Sequence, residues 1–63
     1  MNKISKMIME IKQKVNNDED RIEVARLEGI FFDLRKEYKN NQISQIELQM
    51  AEMKIKDNLY GII

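Results

Sequence analysis

The chain has no cysteine, histidine, proline or tryptophan, and two glycines among 63 residues. Each absence narrows the field. Without cysteine there is no disulfide staple and no thiol chemistry, which excludes the disulfide-rich secreted class. Without cysteine and histidine together, the common zinc sites and nucleophile–base pairs are excluded. Aside from two tyrosines, Ser5 and Ser44 are the hydroxyl-bearing side chains. No glycine-rich phosphate loop is present. No apolar run approaches the length of a membrane span. The N-terminal stretch MNKISKMIMEIKQK carries lysines throughout, so it does not read as a signal peptide. The cytoplasm is the expected compartment.

What remains is 43% hydrophobic and 35% charged, with isoleucine supplying most of the β-branched residues. That composition favours helix over sheet and is too apolar and periodic for disorder. The chain is short enough for one domain, spanning residues 1–63. Size scaling gives about 11,000 Å² exposed when unfolded and about 4,300 Å² when folded. Burying the apolar share yields on the order of 95 kcal/mol, and ordering the chain costs about the same. A partner surface would therefore add much to a lone monomer.

Net charge is zero but unevenly spread. Residues 1–15 hold Lys3, Lys6, Lys12 and Lys14 against Glu10. Residues 16–30 hold Asp18, Glu19, Asp20, Glu23 and Glu28 against Arg21 and Arg26. Attraction between the basic and acidic segments is one reading, and two solvated faces is the plainest. A basic first helix on nucleic acid is the sharper alternative, but a neutral chain gives it little general support.

Periodicity predicts three helices, over about 2–15, 19–39 and 45–60. In the first, Ile4, Met7, Ile8, Ile11 and Val15 recur at the spacing of one helix face, with Met9 off it. The following NNDED offers Asn16, Asn17 or Asp18 as a cap, with acids suited to a first helical turn. The apolar stripe changes phase here, which predicts a break. The second stripe is Val24, Leu27, Ile30, Phe31, Leu34 and Tyr38. Gly29 lies mid-helix, where it costs about 1 kcal/mol relative to Ala and suggests close approach of another helix. Phe32, with Ile22 and Ala25, forms a second apolar edge.

The stretch KNNQISQIE carries the clearest local signals. Arg35, Lys36 and Lys39 suit the end of a helix, and Asn40 or Asn41 suits the left-handed residue that closes one. Ser44 and Glu47 form a capping box, and Ile43 and Leu48 fit a hydrophobic staple. The link is short, so the flanking helices should lie antiparallel. In the third helix, Ile46, Met50, Met53 and Tyr60 project to one side. Leu48, Ala51, Ile55, Leu59 and Ile62 project to nearly the opposite side at about 100° per residue. Gly61 is a plausible terminator, and Ile62 and Ile63 beyond it suit docking. A helix apolar on two faces is expected to bury both.

Chemistry-bearing constellations are few. Asp18-Glu19-Asp20 lacks the glycine and terminal glutamate of a calcium loop and reads as helix-start acids. No cofactor or metal site is expected, and no catalytic residue stands out. Met7, Met50 and Met53, among five methionines, read as core filler, although methionine also suits adaptable interfaces. Tyr38 and Tyr60 suit a core or an interface equally.

Residues 27–55, LEGIFFDLRKEYKNNQISQIELQMAEMKI, resemble the helical hairpin of the YqgQ-like family of small Bacillota proteins. The resemblance rests on Leu27-Glu28, Leu34, Tyr38, Ile43, Ala51 and Ile55. Where that family has Gly-Leu before the isoleucine, this chain has Asn41-Gln42, and the N-terminal third lies outside the similarity. It implies a helical bundle and carries no activity with it.

The expected fold is all-α: a small three-helix bundle with a C-terminal antiparallel hairpin, with a dimer of such units left open. The expected function is a non-enzymatic regulatory or inhibitory protein that binds another protein, or a second copy of itself, through a helix face. Size and composition suit a bacterial, phage-like origin. Phe32, Met50, Met53, Tyr60, Leu59 and Ile62 are the candidate partner-binding residues. A nucleic-acid-binding helical dimer, built on helix 1 with Arg35, Lys36 and Lys39, and a structural homodimer are the alternatives.

Overall fold

The computed structural model describes residues 2–62. It comprises α1 (Lys3–Lys14), α2 (Asp18–Lys39) and α3 (Gln45–Ile62). The expected three-helix bundle is the observed architecture, and each junction has a local cause.

Asn2 caps α1, its side-chain oxygen accepting from the Ile4 amide at 2.7 Å. The helix ends where Val15 turns extended, at ψ 135°. The break expected near residues 16–18 is present, and Asn17 is the cap among the three candidates. Its side-chain oxygen accepts from the Asp20 amide at 2.8 Å, and its amide group donates to the Asp20 carboxylate at 2.9 Å. Asp18, Glu19 and Asp20 occupy the first turn, beside the unpaired amides and positive end of the helix dipole.

The turn after α2 is a Schellman arrangement. Asn40 is the C-cap, and Asn41 adopts φ 61°. The Asn41 amide donates to Tyr38 O at 3.1 Å and the Gln42 amide to Glu37 O at 2.8 Å. Asparagine is among the few residues other than glycine that enter this left-handed region at small cost. The capping box then opens α3: the Glu47 amide donates to Ser44 Oγ at 3.1 Å, and the Ser44 amide donates to Glu47 Oε1 at 3.2 Å. Ile43 and Leu48, the two staple positions, are both half-buried.

Short links between successive helices run the chain up, down and up, so α1 lies antiparallel to α2 and parallel to α3. The core is Ile4, Ile8 and Ile11 from α1, Val24, Leu27 and Phe31 from α2, and Ile55 and Leu59 from α3. Met7, Val15, Leu34 and Ile62 pack around it. No polar or charged residue is buried among the described residues. Polar ties hold α1 at both ends. Asn2 Nδ2 donates to Glu52 Oε2 of α3 at 3.1 Å, and Lys12 Nζ meets Glu28 Oε1 of α2 at 2.6 Å.

At 1.5 Å per residue α1 is about 18 Å long and α2 about 33 Å. The bundle measures 37 × 19 × 15 Å. The loop end of the α2–α3 hairpin therefore projects past α1, and no residue between Phe31 and Ile55 is fully buried.

Three sequence expectations change, and one is untested. Gly29 is exposed, and a Cβ added there would meet nothing within 4 Å, so no helix approaches it closely. Gly61 does not end α3, which continues through Ile62. Ile30 and Tyr38, placed on the core stripe of α2, are exposed, Tyr38 lying on the part of the hairpin that projects past α1. The docking role suggested for Ile63 lies outside the described residues.

Candidate protein-docking face

The two apolar sides of α3 have different fates. The side carrying Leu48, Ala51, Ile55, Leu59 and Ile62 turns inward, with Ile55 and Leu59 buried and the others half-buried. The opposite side faces solvent: Ile46 is 70% exposed, Met50 65%, Met53 66% and Tyr60 56%. The α1–α2 pair covers the inner side, and α1 borders the edge of the outer one at Met53 and Tyr60. A monomer thus leaves about two turns of contiguous apolar helix surface, from Ile46 to Met53, uncovered, with Tyr60 beyond Asp57.

Of the six expected partner-binding residues, Met50, Met53 and Tyr60 lie on this outer face. Leu59 does not belong with them, since it is 0% exposed and forms part of the core. Ile62 is half-buried against that core. Leu59 is corrected from a docking residue to a packing residue, because α1 and α2 occupy the side of α3 it projects from.

Phe32 is exposed but on a different flank. It borders a groove between α1 and α2 with Ser5, Met9 and Glu28. Met53 borders the groove between α1 and α3, with Asn2, Lys3 and Lys56, and Tyr60 borders its continuation with Lys6, Met7 and Glu10. α1 lies between the two grooves, so the structure does not combine Phe32 with Met50, Met53 and Tyr60 in one surface. Ile22, which shares the α2 edge with Phe32, is also exposed.

Two members of the outer face were not singled out among the candidate residues. Ile46 sits one turn before Met50 and is the most exposed of the apolar set. Asp57 lies on the same stripe, between Met53 and Tyr60. The alternating four- and three-residue spacing is the signal that finds both.

The rim of the face is charged. Lys56 Nζ lies 5.9 Å from the centre of the Tyr60 ring, within cation–π range. Lys54 and Asp57 border the surface around Met50 and Met53. Elsewhere, Arg35 lies over the Phe31 ring at 5.7 Å, and Arg26 holds Glu23 through its guanidinium. That hydrogen bond lowers the Glu23 pKa and raises that of Arg26.

Among the described residues no group of three or more acidic side chains converges as a metal site. No helix is long and apolar enough to cross a membrane. No protein-family model, curated protein or solved structure matches the chain.

Proposed function

We propose that this chain is a non-catalytic protein-binding module, regulatory or inhibitory in effect, that docks through the outer face of α3. The observation that carries this reading is the stripe of Ile46, Met50, Met53 and Tyr60, exposed on a helix whose opposite face is buried in the core. Isolated exposed apolar residues are ordinary, but a contiguous patch with a polar rim marks an interaction site. Two flexible methionines and an aromatic suit a helix-face interface.

Immobilised parent chain should retain a specific protein from an extract of the source cells, and Met53→Asp should lose it. Equal retention by Met53→Asp and Met50→Asp would overturn the assignment of the face.

A nucleic-acid reading draws on one grouping: Arg35, Lys36 and Lys39 border a single surface depression together with Tyr38. It requires binding to DNA or RNA that weakens steeply with salt. Absence of binding at low ionic strength would dispose of it.

A further inference from the structure

The outer face of α3 has an order that general stickiness does not require. Ile46, Met50, Met53, Asp57 and Tyr60 are separated by four, three, four and three positions, the spacing of a coiled-coil seam. From Ile46 onward every one of them is exposed. Glu47 and Lys54 lie along one flank of this seam, and Gln49 and Lys56 along the other. All four are exposed, and among the described residues neither Glu47 nor Lys54 forms an ion pair within the chain.

We propose that a second copy of this chain occupies this face, its α3 packed antiparallel about a twofold axis midway between Met50 and Met53. This inference rests on the reading of the α3 face as a docking surface. In this register Met50 meets the partner's Met53 and Ile46 meets the partner's Asp57.

Charge selects both direction and register. A parallel pair would set Asp57 against the partner's Asp57 inside the seam. Its flanks would oppose Gln49 to Lys54 and Lys56 to Gly61, with no attractive charge pair. The antiparallel pair instead opposes Glu47 to the partner's Lys54, and symmetry repeats the contact. Glu47 Oε1 accepts from the Ser44 amide, which leaves Oε2 for this lysine. The Asp57 carboxylate falls at the first turn of the partner's α3, where unpaired amides and the helix dipole favour an anion. Sliding the antiparallel pair by one heptad either way opposes Lys54 to Lys54 or Glu47 to Glu47. Like charges therefore disfavour both neighbouring registers.

Sedimentation velocity on the full chain, from about 1 µM to about 1 mM, should show monomer passing to dimer with concentration. Glu47→Lys and Lys54→Glu chains should each remain monomeric across that range, because each opposes like charges twice. Their equimolar mixture should dimerise, because both cross-chain pairs become attractive again. Restoration on mixing is not expected from a change in folding stability alone. The native chain lacks cysteine, so introduced thiols report geometry directly. Ile46→Cys mixed with Asp57→Cys should cross-link under an added oxidant, whereas Ile46→Cys alone should not, its two thiols lying about 16 Å apart along the axis.

A monomer at every concentration, a cross-link by Ile46→Cys alone, or single charge variants that dimerise like the parent would overturn the inference. If the chain is monomeric while Met53→Asp still abolishes retention of a different protein, self-pairing fails and the docking face stands. If Met53→Asp alters neither self-association nor retention, both fail.

Discussion

Asn2 and Glu52, fifty positions apart, are joined by a 3.1 Å hydrogen bond from Asn2 Nδ2 to Glu52 Oε2. The same asparagine caps α1 through its side-chain oxygen. One side chain therefore starts the first helix and ties it to the third. Asn2→Ala should cost about 1–2 kcal/mol, since losing the cap alone costs about 1 kcal/mol. Glu52→Ala removes the tie but not the cap and should cost less. Urea unfolding of both variants checks the order, and equal losses would deny the double role.

Phe31 and Phe32 are chain neighbours with their ring centres 6.1 Å apart, yet they should respond very differently to truncation. Phe31 is fully buried, so Phe31→Ala should cost about 3–5 kcal/mol. In a domain this small that loss should leave the chain largely unfolded. Phe32→Ala should change stability by no more than about 0.5 kcal/mol. Helical circular dichroism at 25 °C separates the two directly.

Gly29 offers a gain. It is helical, exposed and free of neighbours within 4 Å. Gly29→Ala should stabilise the chain by about 1 kcal/mol, raising Tm by about 4–8 °C. A loss of stability in thermal melts would mean that another helix approaches this edge after all.

The Glu23–Arg26 pair gives a pH signature. Arg26 holds the Glu23 carboxylate below its ordinary pKa. Its contribution is fully present above the unfolded-state pKa of Glu23 and is lost as pH falls through the folded-state value. Parent and Glu23→Gln chains should therefore differ in Tm near neutral pH and converge in acid. The effect should be small, because the pair is exposed. A difference that grows in acid would have the wrong sign.

The hairpin was the most legible part of the fold because its signals are local. A capping box, a left-handed asparagine and a short link act within a few residues, so Ser44 and Glu47 could be assigned from spacing alone and the left-handed residue narrowed to Asn40 or Asn41. The site was only half legible. Periodicity separated the two apolar sides of α3 and named Met50, Met53 and Tyr60. It left Leu59 and Ile62 as docking candidates because both sides of the helix are apolar, and the sequence pattern alone does not say which one the bundle covers.

Helix number, the capped junctions between helices and the two-faced character of α3 are properties of the sequence itself, since they follow from backbone capping and a period of 3.6 residues. Tertiary packing decided the rest. α1 is about half as long as α2 and lies across one side of the hairpin. It buries Ile55 and Leu59, parts Phe32 from Met53 and leaves Gly29 in solvent. These outcomes depend on where one short helix rests on two longer ones, and that position is set by the joint packing of Ile4, Ile8 and Ile11 with Phe31 and Leu59. No single segment encodes that packing, so it emerges only when all three helices meet.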